Sequence, residues 1–154
     1  MRNLVKPLPA RDVLLLVGRV VLGAIFIAHG WQKFTEWGLS GTAAGFEQMG
    51  VPAPGVTSII AAVIELVGGV ALVLGALTTL FAVLLVLDMA GAAVLVHVGN
   101  GVFITENGWE LVGALGAAAL LLAAVGAGAY SIDARLAPRR TVSSVVEREK
   151  FLVH

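Results

Sequence analysis

Residues 56–77 read VTSIIAAVIELVGGVALVLGAL, and this stretch decides the fold. Its 22 residues include a single ionisable side chain, Glu65, close to the middle. About 20 consecutive apolar residues are enough for an α-helix to cross the hydrocarbon core of a bilayer. A charge at the centre of such a helix costs at least about 2.5–3.5 kcal/mol, so it is rarely kept without a partner or a function. We therefore expect a transmembrane helix whose Glu65 side chain faces the interior of a helical bundle.

Three further runs of comparable length and composition flank this stretch. Of the whole chain 58% is hydrophobic and 13% is charged, whereas about a quarter of the residues in a soluble domain are charged. The pattern predicts an all-α fold, a four-transmembrane-helix up-down bundle. The apolar runs are residues 13–30, 56–77, 78–98 and 109–130, and the expected helices cover about 12–32, 56–77, 78–98 and 109–130.

The basic residues indicate the orientation of the bundle. Among the loops on one side only Lys33 is basic, and apart from Arg19 within the first run all the other Lys and Arg residues lie before the first helix or after the fourth. They are Arg2, Lys6, Arg11, Arg135, Arg139, Arg140, Arg148 and Lys150. Because Lys and Arg collect on the cytoplasmic side, both termini are predicted to be cytoplasmic, an N-in/C-in bundle. The membrane domain then covers residues 1–136, and residues 137–154 form a polar cytoplasmic tail.

The loop between the first two helices carries its own amphipathic pattern. Leu39, Phe46 and Met49 are spaced for a short helix that lies at the membrane surface. The glycines and prolines of residues 50–55 then end it. We therefore expect a short interfacial helix between helices 1 and 2.

Arg19, Glu65 and Asp88 each lie near the middle of a different apolar run. At a rise of about 1.5 Å per residue, the three side chains are expected within about 5–6 Å of one depth. An arginine can bridge two carboxylates with its planar guanidinium. Such an intramembrane charge network is either a structural clasp that fixes helix pairing or a proton-titrating or ligand-binding site. Both interpretations stay open at this point.

A second polar group is expected at the outer ends of the helices. His29 and Lys33 are four residues apart and share one helix face. Glu110 begins the fourth run at the same level, where it can pair with Lys33 or favour the helix N-terminus. Trp109 and other aromatic residues would supply apolar walls for a quinone or another amphiphile. His97 is the weaker member, because its distance of nine residues from Asp88 places it on the opposite side of an α-helix.

Several kinds of site are excluded or disfavoured by the sequence. The chain has no cysteine, which excludes disulfides and thiolate sites. No metal site is predicted, because the ligand spacings of known metal sites do not occur. The net charge of zero argues against a nucleic-acid partner. No framed nucleophile or nucleotide-binding motif is present, so no catalytic residue is assigned.

An ordered set of motifs extends across the four runs. Its first part consists of Arg19, Gly23, His29, Gly30, Lys33, Glu65, Gly68, Gly69 and Gly75. The fourth run adds Asn107, Gly108, Trp109 and Glu110, and it closes with the sequence GAGAYSID at residues 126–133. Together these motifs resemble the DoxX family of small four-helix membrane proteins, and the resemblance covers roughly residues 12–135. Residues 127 and 129 are alanine where the family more often has a proline or a bulkier residue.

The resemblance implies a multi-pass protein of the bacterial cell (plasma) membrane that is tied to redox biology. Family members are linked to quinone-coupled oxidoreductase or terminal-oxidase assemblies, and to oxidative-stress complexes with a superoxide dismutase. We therefore expect an accessory subunit of a respiratory or redox complex, without catalysis of its own and without a covalently bound cofactor. Contact with a quinone such as menaquinone, or with lipid, is expected. The alternatives are a quinone-reactive oxidoreductase subunit and a small proton-coupled transporter.

Overall fold

The computed structural model describes residues 9–137, and all regular elements in this range are helices. The tail beyond residue 137, and the basic residues outside this range that indicated the orientation, are not among the described residues. Six α-helices are present: α1 (Pro9–Thr35), α2 (Gly38–Gln48), α3 (Pro54–Leu74), α4 (Thr78–Ala92), α5 (Glu110–Val125) and α6 (Ile132–Leu136). The prediction of an all-helical fold is confirmed.

Three helical stretches are long and apolar enough to cross a membrane. They are Ala10–Thr35, Pro54–Leu74 and Thr78–Asn100. The third consists of α4, a π-helical turn (Ala93–His97) and a 3₁₀ turn (Val98–Asn100). The fourth apolar helix, α5, is shorter, with 16 residues. The expected short helix after α1 is also present, as α2.

The fourth helix ends five residues before the predicted boundary at residue 130. Gly126 and Gly128 have φ angles of 77° and 76°, a conformation that a residue with a Cβ adopts only at a cost. The helix therefore stops at Val125, and the chain turns back towards α1 before α6 begins. By contrast, the first helix is longer than predicted: α1 extends three residues past the expected end at residue 32.

Small residues set how far α1 is shifted along α3. A Cβ at Gly30 would lie 2.5 Å from the Leu66 backbone nitrogen, and a Cβ at Gly23 would lie 2.7 Å from the Val73 side chain. Gly69 packs equally closely on Ile27. Glycines at such contacts let helix backbones approach closely within a membrane. This antiparallel register places the C-terminal end of α1 beside the middle of α3.

The other two helix pairs pack in the same antiparallel manner. Gly68 of α3 faces Leu85 of α4, and Gly116 of α5 faces Met89 of α4. The buried core between the helices consists of Leu22, Phe26, Leu72, Ala82, Leu85, Met89, Leu115, Ala119 and Leu122. The outward faces are also apolar, with Leu14, Leu87 and Leu121 all more than 60% exposed. A surface of this kind is expected where the solvent is lipid rather than water.

Candidate functional site

Lys33 and Glu65 form a buried ion pair between α1 and α3. The Lys33 Nζ and Glu65 Oε2 atoms are 2.5 Å apart, and the two side chains are only 11% and 7% exposed. The register of α1 against α3 brings them together, because Gly30 packs against Leu66. Glu65 is the twelfth of the 21 residues of α3, so the pair lies at the middle of that helix. Lys33 is therefore level with the centre of α3 and not with its outer end.

Asp88 lies on α4 at the same level as this pair. The contact of Gly68 with Leu85 places residue 88 opposite residue 65 in the antiparallel hairpin of α3 and α4. The Oδ2 atom of Asp88 is buried and has no hydrogen-bond partner among residues 9–137. An unsatisfied buried acceptor is uncommon in folded proteins and calls for an explanation. We name Lys33, Glu65 and Asp88 the central charge group.

A cavity of about 540 Å³ lies beside the central charge group, and all three of its side chains line it. The cavity is lined by residues of all five helices from α1 to α5 and of the loop before α5. Its remaining polar side chains are His29, Thr57, His97 and Asn107, and its aromatic walls are Phe26, Trp37 and Phe46. It is thus an apolar chamber with polar groups concentrated at a few positions, as in typical small-molecule sites.

His97 lines this cavity together with Asp88, contrary to the expectation that the two lie on opposite sides. The reason is the π-helical turn Ala93–His97 between them. A π turn takes about one residue more than an α turn, so nine residues produce less rotation than the α-helical count assumes. His97 Nδ1 is 2.8 Å from the carbonyl oxygen of Asn107, which ties the turn to the following loop.

Arg19 does not join Glu65 and Asp88, and the expected network of these three residues is corrected in this respect. Four residues beyond the contact of Gly23 with Val73, Arg19 is level with the turn between α3 and α4. That level is roughly 18 Å along the bundle axis from Glu65. The estimate from the middle of each apolar run failed because the apolar runs do not begin at one level, and Lys33 takes the position expected for Arg19.

Arg19 instead belongs to a closed cluster at the other end of the bundle. Its side chain is fully buried, and Nη2 donates a hydrogen bond of 2.7 Å to the carbonyl oxygen of Tyr130. Asp12 accepts a hydrogen bond of 3.0 Å from the backbone of Ala129. We name Asp12, Arg19, Tyr130 and Asp133 the Arg19 junction. It joins α1 to the segment that follows α5.

Asp133 holds the turn between α3 and α4 to this junction. Its carboxylate accepts hydrogen bonds from the backbone N–H groups of Leu77 (2.7 Å) and Thr78 (2.9 Å), at the start of α4. Its own backbone N–H donates to the carbonyl oxygen of Gly75. Partial burial opposes ionisation, but the hydrogen bonds from Thr78 and Leu77, with the Arg19 guanidinium, hold the pKa of Asp133 below its ordinary value.

Glu110 and Trp109 are not part of the cavity site, which corrects the predicted outer group. Glu110 begins α5 roughly 10 Å along the bundle from the level of Asp88, too far to pair with Lys33. Its Oε1 atom accepts a hydrogen bond of 2.6 Å from the backbone N–H of Ile104 and so fastens the loop before α5. Trp109 is 41% exposed and does not line the cavity. Of the predicted outer group, His29, Lys33 and His97 remain at the cavity.

The sequence interpretation missed the pairing of Lys33 with Glu65 and the contribution of α2 to the cavity. The glycines at positions 23, 30 and 69 carried the signal for the pairing, since close contacts between them set the helix register. For α2, the aromatic residue Phe46 was assigned to the membrane surface, whereas it lines the cavity. No group of three or more metal-ligating side chains occurs within the described residues.

Comparisons with known proteins identify a family and several membrane proteins as relatives. The DoxX family profile matches residues 14–98. The inner membrane protein YphA of Escherichia coli is 38% identical over 135 residues, which cover 82% of this chain and 92% of that protein. A protein of Mycobacterium tuberculosis named an uncharacterized membrane protein is 34% identical, with 80% of this chain and 81% of that protein covered.

One relative has a name that refers to an activity. "Putative oxidoreductase CatD" of Bacillus subtilis is 38% identical over 81 residues, which cover 53% of this chain and 58% of that protein. No solved structure matches the chain. The family profile covers more than half of the chain, and it includes both Arg19 and the central charge group. The chain is therefore a bacterial-type integral membrane protein that belongs to the DoxX family.

Proposed function

We propose that the protein is a membrane component of a redox complex and binds a quinol-type or quinone-type amphiphile in the cavity beside the central charge group. One observation carries the proposal: Asp88, whose Oδ2 atom is buried and unpartnered, is a lining residue of an apolar cavity of about 540 Å³. Leaving such an oxygen unsatisfied costs about 1–3 kcal/mol or more. A ligand that donates a hydrogen bond at this position would remove that cost.

The charges of the cavity favour a neutral ligand with hydroxyl groups. Lys33 is already paired with Glu65, and Asp88 forms no salt bridge in the described part of the chain. A quinol hydroxyl can donate to Asp88, and Lys33 has further N–H groups for an oxygen acceptor of the same ring. Phe26, Trp37 and Phe46 supply apolar and aromatic walls for the ring. The residues present therefore fit this class of ligand.

The chain itself supplies binding and proton handling. A bound quinol provides two electrons and two protons, which is chemistry that the side chains alone do not offer. Asp88 is placed to hold a proton at the cavity wall, and His29 and His97 are further titratable side chains of the same cavity. We therefore propose that a partner subunit exchanges the electrons and that this chain is an accessory subunit. The name of the Bacillus subtilis relative, a putative oxidoreductase, refers to redox chemistry for that protein.

We further propose that all four apolar helices cross the membrane, with both termini in the cytoplasm. The central charge group then lies near the midplane, because Glu65 and Asp88 are close to the middle of Pro54–Leu74 and Thr78–Asn100. The Arg19 junction then lies near the cytoplasmic surface, where an arginine is least costly. Reporter fusions at each end of the chain test this topology, and activity of a cytoplasm-only reporter at only one end would contradict it.

The proposed ligand is tested by direct binding. We expect a soluble quinol to quench the fluorescence of the protein in detergent, because Trp37 lines the cavity. Asp88→Asn should weaken binding by about tenfold or more, since hydrogen bonds to charged groups contribute about 1.5–3 kcal/mol. Glu110→Gln is the matched control, as it makes the same kind of change outside the cavity. Absence of saturable quenching in the unmodified protein would refute the proposed ligand.

The accessory role needs a separate experiment. Purification in a mild detergent followed by mass spectrometry should recover an oxidoreductase or oxidase subunit, and a superoxide dismutase is a further proposed partner. Recovery of this chain alone under conditions that preserve quinol binding would contradict the accessory role and leave the ligand site standing.

A further inference from the structure

Part of the cavity wall is also part of the outer surface. Ile60 of α3 is 51% exposed, and Leu87 of α4 and Leu95 of the helical turn after it are 63% and 49% exposed. All three line the cavity. Side chains that contact both the cavity and the outer surface mark the rim of an opening. The opening therefore lies between α3 and the α4 side of the bundle.

Helix geometry explains why the wall is open here. The two helices are in contact where Gly68 meets Leu85. Further from the connecting turn, residues 87, 91 and 95 form one row along the helix, and the middle position of that row is Gly91. A Cβ at Gly91 would find no atom within 4 Å. The row therefore has a gap at its centre, beside the central charge group.

We infer that this gap, which we name the side portal, is where an apolar tail of the ligand leaves the cavity and enters the hydrocarbon layer. The ligand is then a lipid-phase molecule with a long isoprenoid or aliphatic chain, and not a water-soluble ring alone. The rim residues Ile60, Leu87 and Leu95 are all aliphatic, so a hydrocarbon chain loses no hydration or hydrogen bond in passing them. The inference rests on the proposed quinol site and specifies the class of molecule that this site takes.

The depth of the portal supports a lipid-phase occupant. Gly91 lies three residues beyond Asp88, or about 4.5 Å along the helix, so ring and tail are within reach of each other. The portal is also near the middle of the apolar stretch Thr78–Asn100. A water-soluble molecule would have to cross half of the hydrocarbon layer to reach it, whereas a long-chain quinol is already dissolved there.

The side portal is tested with the variant Gly91→Leu, because the structure has open space for the added side chain. Gly18→Leu is the matched control: Gly18 is also helical and also has nothing within 4 Å of a Cβ, but it lies away from the cavity. Binding of two probes to the unmodified protein and both variants is measured, one a naphthoquinol without a tail and the other the same ring with an isoprenoid tail. Each probe is compared across proteins in one detergent, so partition of the tail into micelles cancels.

We expect Gly91→Leu to weaken binding of the tailed probe by about tenfold or more and to leave binding of the tail-free probe unchanged. Gly18→Leu should change neither. Equal binding of the tailed probe to Gly91→Leu and the unmodified protein would overturn the side portal, and so would an equal loss for both probes. Those two results leave the quinol site itself intact, whereas failure of both probes to bind the unmodified protein overturns the site together with the portal.

Discussion

Lys33 and Arg19 are two buried bases on one helix, but their surroundings differ. Arg19 is completely enclosed, and a Cβ at Gly75 would overlap its guanidinium group. Lys33 borders a cavity of about 540 Å³ and is paired with a single carboxylate. A buried charge alone therefore does not identify a binding site in this protein. The empty volume beside the charge distinguishes the central charge group from the Arg19 junction.

The largest expected effect comes from removing the base of the central charge group. Lys33→Met leaves Glu65 buried without a counter-charge, which costs about 3–5 kcal/mol of unfolding free energy. We expect the double variant Lys33→Met with Glu65→Leu to recover more than half of this loss, because the buried carboxylate that lost its partner is then also removed. Thermal unfolding in detergent measures both. A double variant as unstable as the single variant would show that the pair is not a coupled unit.

Removal of the base at the Arg19 junction should have a smaller effect of a different kind. Arg19→Met loses the hydrogen bond to the Tyr130 carbonyl and the attraction to Asp133, for about 2–3 kcal/mol of unfolding free energy. Quinol binding by the folded protein should be unchanged, because the junction is far from the cavity. Binding titrations below the melting temperature check this point. Loss of binding in Arg19→Met at full helicity would remove the distinction between the two regions.

The smallest effect concerns Asp133 and depends on pH. Asp133→Asn should cost about 1 kcal/mol at neutral pH, since the two carboxylate oxygens each accept a backbone N–H group at the start of α4 and an amide has only one oxygen to do so. The pKa of Asp133 is lower in the folded protein than its ordinary value, so its stabilising effect is present above the unfolded pKa of about 3.9. It is lost as the pH falls through the folded pKa.

The difference in melting temperature between the unmodified protein and Asp133→Asn should therefore be full at pH 7 and shrink as the pH falls below the unfolded pKa of about 3.9. Lys33→Met is the contrasting variant. Its loss of stability arises from the unpaired Glu65 and not from Asp133, so at pH 7 this loss should be the same with and without Asp133→Asn. A difference that grows on acidification would contradict the assignment of Asp133 as an ionised cap.

Much of the fold was predictable from the sequence because apolar runs long enough for a membrane permit few structures other than helices. The three longest helices and α2 were predicted. The predicted end of the fourth apolar helix was less accurate, because the backbone conformation of Gly126 and Gly128 ends α5 early. Glu65, Asp88 and His29 were singled out from the sequence, and all three line the cavity. The sequence did not show which of these residues lie together, because the depth of each side chain in the membrane was estimated from the middle of its apolar run. The true levels depend on contacts such as Gly30 with Leu66, which only the packed structure contains.

The π-helical turn Ala93–His97 follows α4, and it allows the orientation of His97 to change while Asp88 stays in place. In evolutionary terms the turn is equivalent to one residue inserted into an α-helix. Deleting one residue there would rotate everything beyond it, including His97, while Asp88 and the α4–α5 contact at Met89 would keep their places. Relatives that differ by a single residue at this point would then share the central charge group but present a different side chain in the lining of the cavity. Insertions and deletions in this short stretch are therefore a route by which one scaffold can change what its cavity recognises.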